Sequence, residues 1–264
     1  MIPARRRRLA AALALAAAAC LPAVPARAEL PDAIARVKPS VVLVGYHRST
    51  DSPRFRLGGT GFVVGDGNLV ATNAHVLQPA ETVGDASLTV QVSGGGALWQ
   101  ARPARVLEVD RAHDLALLRI EGPPVPALAL RNSDTVREGQ SAAFMGFPIG
   151  GALGFAPVTH RATVSSIAAV ALPAPSGQQL TARLIRSARD GNGNFDIFQL
   201  DGTAYPGNSG GPLFDPDSGE VIGVVNMTLL KSTREGALSN PSGISYAIPS
   251  NFVDRLIKQR RPGD

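Results

Sequence analysis

Cysteine and aromatic residues are scarce in this chain of 264 residues. Its single cysteine is Cys20, and only 5% of its residues are Phe, Trp or Tyr. Because one cysteine cannot form a disulfide within the chain, burial of apolar side chains must stabilise the fold, and the chain is long enough for that. With so few aromatic rings, Val, Leu and Ile must fill the cores.

Long apolar runs are absent outside the N-terminus. There, arginines at 5–8 precede an apolar run at 9–21, and Ala26-Arg27-Ala28 fits an A-x-A cleavage site. This arrangement is typical of a secretory signal peptide, so residues 1–28 are predicted to be removed and the mature chain to begin at Glu29. No later run of about 18 apolar residues occurs, so no membrane span is expected.

Two other export routes remain open from the same segment. Ala18-Ala19-Cys20 is compatible with a lipoprotein acceptor, although Ala17 stands where Leu is expected. The arginine pairs also permit a twin-arginine exporter. Each route predicts a periplasmic or extracellular protein.

The predicted mature chain has a net charge of zero. Five of the 26 basic residues are arginines of the leader, so the remaining 21 equal the 21 acidic residues. The basic isoelectric point of the whole chain therefore gives no support to a nucleic-acid partner or to binding at an anionic membrane.

Histidine is absent after Ser209. The segment 207–211 reads Gly-Asn-Ser-Gly-Gly and matches the G-x-S-x-G elbow of α/β-hydrolases, which needs an acid and then a histidine after its serine. All four histidines precede Ser209: His47, His75, His113 and His160. The α/β-hydrolase interpretation is therefore excluded.

The chain order histidine, aspartate, serine is that of a double-barrel serine protease. A serine hydroxyl needs a neighbouring base to become a nucleophile, and His75 in Thr-Asn-Ala-His-Val can supply it. Asp114 precedes an apolar run and can orient the imidazole. Asp110 is the alternative carboxylate. His113 is predicted to lie on the surface, and His47 and His160 to be structural.

The rest of the sequence reads as short strands separated by turns. β-branched runs with frequent Gly, Pro, Asn and Asp breaks favour a sandwich or a barrel. Asp66-Gly67-Asn68 predicts a hairpin turn. A C-terminal helix is predicted after Ser250, whose side chain can cap it, with an apolar face at Phe252, Val253, Leu256 and Ile257. The predicted strands lie near 40–46, 61–64, 68–72, 88–92, 141–147, 161–167, 195–199 and 220–225.

Four motifs in this order resemble the HtrA/Deg branch of the chymotrypsin-like serine proteases. They are Thr72–Val76, Asp114–Leu117, Pro206–Leu213 and Gly243–Ser250, and the resemblance runs from about Gly59 to Arg255. It implies an all-β fold of two six-stranded antiparallel barrels, with the active site between them. The predicted division is an N-terminal barrel at 29–131 and a C-terminal barrel with its helix at 132–264. Because residues after Ser209 are needed to complete that barrel, no PDZ domain is expected.

The resemblance also implies the roles of the site residues. Ser209 is the nucleophile, His75 the general base and Asp114 its orienting carboxylate. The backbone N–H groups of Gly207 and Ser209 form the oxyanion hole. Asn208 cannot form the ion pair with a new N-terminus that activates digestive relatives, so activation by that route is not expected.

Substrate selection is predicted from the residues that align with the specificity pocket. Thr203, six positions before Ser209, carries no charge for a basic substrate side chain, so small or medium apolar P1 residues are expected. Val225, Asn226 and Met227 are predicted to line the same pocket, with a shift of one residue left open.

These expectations describe an exported serine endopeptidase that acts on polypeptides, with no cofactor, no metal and no nucleic-acid partner. Asp190–Asp196 superficially resembles a calcium loop, but a hairpin turn is favoured because Phe195 stands where the loop needs Gly. The alternatives are a catalytically silent binding or chaperone-like module and an esterase on the same barrels. Oligomeric state is left open.

Overall fold

The computed structural model describes residues 29–77, 84–95, 98–151, 154–169, 195–226 and 243–260. The signal-peptide prediction, Cys20, Met227 and most of the calcium-loop prediction lie outside these residues. Among them, no helix is long and apolar enough to cross a membrane.

A short helix, α1 (Leu30–Val37), precedes the first barrel and was not predicted. Proline in its first turn is tolerated because the first N–H groups of a helix have no intrahelical acceptor. Ala33 and Val37 are fully buried, and the Arg36 guanidinium donates to the Asp217 carbonyl oxygen at 3.0 Å. The helix therefore ties the start of the described chain to a turn of the second barrel.

The first closed barrel has the strand order β1-β2-β3-β6-β5-β4. Its strands are β1 (Val41–His47), β2 (Phe55–Val64), β3 (Leu69–Asn73), β4 (Ser87–Ser93), β5 (Trp99–Asp110) and β6 (Leu115–Ile120). The predicted turn at 66–68 connects β2 to β3, which pair antiparallel. β5 was not predicted, because most of its side chains are exposed or half-buried and give no alternating pattern.

The second closed barrel has the order β10-β11-β12-β9-β8-β7. Its strands are β7 (Ser141–Gly146), β8 (Val158–Ala169), β9 (Asp196–Leu200), β10 (Pro212–Phe214), β11 (Val221–Asn226) and β12 (Ser245–Pro249). Every strand pair in both barrels is antiparallel. The predicted all-β double-barrel fold is confirmed.

Strand β1 shows why apolar runs rather than alternating patterns mark these strands. Successive side chains of a strand point to opposite faces. Val42 and Val44 join a core cluster made only of first-barrel residues, whereas Val41 and Leu43 join a cluster that also contains second-barrel residues. Both faces are buried, so both must be apolar.

The C-terminal helix, α2 (Asn251–Gln259), packs Phe252, Val253 and Leu256 into the cluster shared by the barrels. The prediction that Ser250 caps this helix is wrong, since its side chain makes no capping hydrogen bond. Its hydroxyl donates instead to the Arg131 carbonyl oxygen at 2.7 Å. This residue therefore joins the helix to the connection between the barrels.

Candidate active site

His75 and Asp114 are brought together by neighbouring strand ends. Asn73 at the end of β3 pairs with Leu115 at the start of β6, so the residues just beyond each strand are adjacent. His75 lies in a 3₁₀ turn at Ala74–Val76, and Asp114 directly precedes β6. The apolar residues on both sides of each motif thus determine where the two polar side chains meet.

Asp114 is held by several hydrogen bonds. Its Oδ1 accepts the His75 backbone N–H at 2.8 Å, and its Oδ2 lies 2.6 Å from Nδ1 of the His75 ring. Its carbonyl oxygen accepts the Ala74 N–H and the Asn73 side-chain amide, both at 3.0 Å. These contacts fix a residue whose φ of 52° is unusual for a side chain other than glycine.

The bond between the ring and the carboxylate assigns the imidazole tautomer. An ionised carboxylate only accepts hydrogen bonds, so Nδ1 of His75 carries the proton and Nε2 of the neutral ring keeps its lone pair. This is the arrangement in which a histidine can take a proton from a neighbouring hydroxyl.

Asn226 adds a contact that the sequence did not predict. Its side-chain Nδ2 donates to Oδ2 of Asp114 at 2.7 Å, across a sequence separation of 112 residues. Asn226 is 1% exposed at the end of β11, so the second barrel supplies a donor to a carboxylate of the first. It was predicted as a pocket residue, and no local pattern indicates this partner.

Ser209 lies against the strands that lead to His75. Its carbonyl oxygen accepts the Thr60 N–H at 2.9 Å. The next residue, Gly210, has φ 85°, and a Cβ there would lie 2.1 Å from the Thr60 carbonyl oxygen and 2.3 Å from Thr72 Oγ1. Only glycine allows this approach, which places Ser209 beside the end of β3. The Ser209 hydroxyl and His75 are not hydrogen-bonded to each other in this structure. Hydrogen bonds between catalytic groups often tighten only when substrate binds.

The loop before Ser209 is held by polar contacts from the first barrel. The Thr60 hydroxyl donates to the Gly207 carbonyl oxygen at 2.6 Å, and Gly207 has φ 104°. Within the described part of the chain, the backbone N–H groups of Gly207 and Ser209 donate to no protein acceptor.

The other predicted pocket residues lie on either side of this loop. Thr203 is half-buried, and the neighbouring Ala204 N–H donates to Ser245 Oγ at 2.7 Å. Val225 is fully buried, and its backbone exchanges hydrogen bonds with Gly210 and Gly211.

Two further histidines are packed by aromatic rings. His113 was predicted to be a surface residue; its side chain is 22% exposed, and its ring also contacts the rings of Phe195 and Phe252. His160 stacks on Phe144 with ring centroids 4.7 Å apart, and burial lowers its pKa. No group of His, Cys, Asp and Glu suited to a metal ion occurs among the described residues.

Comparison with known proteins places residues 59–224 in a single family model, described as a trypsin-like peptidase domain. Serine protease HTRA1A of Danio rerio is 30% identical over 232 residues, which is 86% of this chain and 40% of that protein. A probable periplasmic serine endoprotease, DegP-like, of Halomonas elongata is 31% identical over 203 residues, or 77% of this chain and 35% of that protein. The chain thus spans less than half the length of these relatives.

Among solved structures, the HtrA-type protease AlgW with a tripeptide has a TM-score of 0.59 and 21% sequence identity. The match covers 87% of this chain and 62% of that one. At this identity the likeness concerns the fold.

Proposed function

Because the chain belongs to the trypsin-like peptidase domain family, we propose that it is a serine endopeptidase of the HtrA type, with Ser209, His75 and Asp114 as its catalytic triad. The observation that carries the proposal is the His75–Asp114 pair, with Nδ1 of the ring 2.6 Å from the carboxylate, at the strand end against which the Ser209 loop packs.

The proposed reaction begins with proton transfer from the Ser209 hydroxyl to Nε2 of His75 as Oγ attacks the substrate carbonyl carbon. The carbonyl oxygen becomes negative and accepts hydrogen bonds from the N–H groups of Gly207 and Ser209. His75 then gives the proton to the leaving amine as the C–N bond breaks. A water molecule then attacks the acyl carbon as His75 takes its proton, and His75 returns that proton to Ser209 Oγ as the ester bond breaks and the acid leaves.

Asp114 acts by keeping Nδ1 protonated and by stabilising the imidazolium that forms in each step. Asn226 donates to the same oxygen and leaves less rotational freedom for the carboxylate. With the His75 backbone N–H on Oδ1, both oxygens are oriented. We propose that Asn226 positions Asp114, in addition to its place on the strand next to the pocket.

For substrate choice, we propose a pocket formed by Thr203, Val225, Asn226 and Met227 that accepts small or medium apolar P1 side chains. An uncharged Thr203 leaves a buried cation unpaired, which is costly. A peptide library varied at P1 should show a graded preference for Val, Ala and Leu, with sharper rejection of Arg and Lys. Arg or Lys as the leading P1 residue would contradict this placement.

For location, we propose export by residues 1–28, followed by action on unfolded or damaged proteins in the periplasm or outside the cell. The leader composition supports export, and a related protein carries the name periplasmic. N-terminal sequencing of the protein from an extracytoplasmic fraction should begin at Glu29. A lipid-modified chain beginning at Cys20, or one that keeps residues 1–28, would refute cleavage before Glu29.

The activity is tested with a fluorophosphonate probe and a casein assay on the wild-type chain and on Ser209→Ala. We expect labelling and hydrolysis in the wild type only, with kcat/KM rising between about pH 6 and 7.5, where a histidine gives up its proton. A folded wild type that binds casein but is neither labelled nor active would favour the silent binding module. Hydrolysis of esters but not peptides would favour the esterase.

A further inference from the structure

An aromatic cluster joins the Asp114 turn to the second half of the molecule. The His113 ring lies 3.9 Å from the Phe252 ring of α2 and 4.6 Å from the Phe195 ring, which directly precedes β9, measured between centroids. Phe195 and Phe252 also contact each other at 5.2 Å, edge to face. His113 is thus in contact with two elements that do not belong to its own barrel.

The same histidine is bonded within its turn. Nδ1 of His113 lies 2.5 Å from Oδ2 of Asp110, and Oδ1 of Asp110 accepts the N–H groups of Ala112 and His113 at 3.0 and 3.1 Å. These three bonds close the turn between β5 and β6. Asp114, whose φ is 52°, directly follows His113 in the chain.

We propose that His113 is a positioning residue for Asp114: it fixes the turn internally through Asp110 and anchors it externally on Phe195 and Phe252. The role as a positioning residue in catalysis rests on the proposed function of Asp114. A residue other than glycine keeps a positive φ only when its surroundings determine its backbone. His113 supplies two such constraints immediately beside it.

The ring of His113 contacts two phenylalanine rings, and its Nδ1 is bonded to Asp110. In this proposal the ring acts on the reaction through the position of the next residue.

The proposal is tested with His113→Ala, His113→Phe and His113→Asn, using His47→Ala at the end of β1 as the control. Phenylalanine keeps the ring contacts, and asparagine keeps a donor for Asp110. We expect His113→Ala to lower kcat per titrated active site about 10- to 100-fold, because small displacements of a catalytic group are costly. The two conservative variants should recover part of that loss, with KM within about twofold of the wild type.

Two readouts separate positioning from loss of folded protein. A displaced Asp114 stabilises the protonated His75 ring less well, so the acid limb of the kcat/KM profile should move to lower pH in His113→Ala. The low-field proton resonance of the His75 Nδ1–H, assigned with His75→Ala, should shift or broaden in His113→Ala and in no control. If His113→Ala only lowers the number of active sites that can be titrated, and leaves kcat per site, the pH profile and the resonance unchanged, the proposal is overturned.

The resonance also distinguishes the two possible failures. If the wild type is inactive and unlabelled by the fluorophosphonate, the proposed function fails, and a resonance shift in His113→Ala still supports positioning of the carboxylate. If the wild type is active and the resonance and kcat of His113→Ala match it, positioning by His113 fails and the proposed function stands.

Discussion

Two histidine–carboxylate pairs lie at the same turn, His75–Asp114 and His113–Asp110, with nearly the same Nδ1–Oδ2 distances of 2.6 and 2.5 Å. Exposure does not separate them, since the histidine side chains are 28% and 22% exposed. The bond between imidazole and carboxylate is therefore not sufficient to identify a catalytic pair.

The surroundings of the two pairs do differ. One donor to the Asp114 carboxylate, Asn226, comes from the opposite barrel, whereas the Asp110 carboxylate accepts its bonds from Ala112 and His113 in its own turn. The loop of Ser209 packs against the strand that ends at Asn73, two residues before His75, whereas the ring of His113 contacts the rings of Phe195 and Phe252. These differences agree with the two proposals, in which the first pair acts on a third group and the second holds a turn in place.

The difference between the two pairs is tested most directly by replacing each aspartate in turn. Asp114→Asn should lower kcat about 10³- to 10⁴-fold, because the amide favours the wrong tautomer of His75. Asp110→Asn should lower it only about tenfold, since the amide oxygen can still accept a hydrogen bond from the His113 ring. Steady-state kinetics on casein peptides, with melting temperature as a check on folding, measure both. Equal effects of the two substitutions would remove the distinction.

A second substitution tests the placement of Ser209 without changing the His75–Asp114 pair. In Gly210→Ala the new Cβ would meet the Thr60 carbonyl oxygen and the Thr72 hydroxyl, so the loop must move. We expect activity to fall at least 100-fold and stability by about 2–4 kcal/mol, from strain at positive φ and overpacking.

The matched control is Gly95→Ala, where φ is 96° but no atom of the described residues lies within 4 Å of the added carbon. It should cost about 1 kcal/mol of stability from the backbone alone and leave kcat unchanged. A Gly210→Ala variant that retains full activity would show that the close approach at Thr60 does not position Ser209.

The cross-barrel contact is expected to have a smaller effect. Asn226→Ala removes one donor from Asp114 and should lower kcat about tenfold, which is the lower end of the roughly 1.5–3 kcal/mol that a hydrogen bond to a charged group contributes. Asn68→Ala is the control, since the Asn68 amide donates to the carbonyl oxygens of Ile120 and Gly122. That control should lower the melting temperature without lowering kcat. A large loss of kcat in the control, or none in Asn226→Ala, would contradict the assigned role.

The smallest effect concerns His160, a histidine that has no carboxylate partner among the described residues. Burial lowers its pKa, so between that lowered value and about 6.5 the unfolded chain binds a proton that the folded chain does not. Its contribution to stability is therefore complete above about pH 6.5 and declines as the pH falls below that. His160→Phe keeps the stacking on Phe144 and should weaken the dependence of the urea midpoint on pH between 5 and 7.5. An unchanged slope would contradict this origin.

Asp215 affects stability at lower pH. Burial alone would raise the pKa of Asp215, but hydrogen bonds from the Ser218 and Asp217 N–H groups and the charge of Arg131 lower it overall. Its stabilising effect is present above about pH 4 and is lost as the pH falls through its lowered pKa. The two groups therefore act in separate pH ranges.

Local patterns predicted much of the fold and part of the site. The apolar runs of β1, β3 and β11 marked strands because these strands are buried, and the motifs around His75, Asp114 and Ser209 marked the candidate site. β5 and α1 gave no usable pattern. Ser250 has the residue type of a cap, yet the Arg131 carbonyl oxygen receives its hydrogen bond.

The sequence by itself determined the order of histidine, aspartate and serine, the positions of most strands and the exclusion of the α/β-hydrolase elbow. Tertiary structure alone decided that Asn226 reaches Asp114 and that His113 contacts two phenylalanine rings. The physical reason is that local sequence patterns and tertiary contacts depend on different neighbours. Periodicity and turn chemistry depend on neighbours in the chain, whereas these contacts depend on how two barrels and a helix pack, and their partners are separated by 112 residues in the case of Asn226 and Asp114.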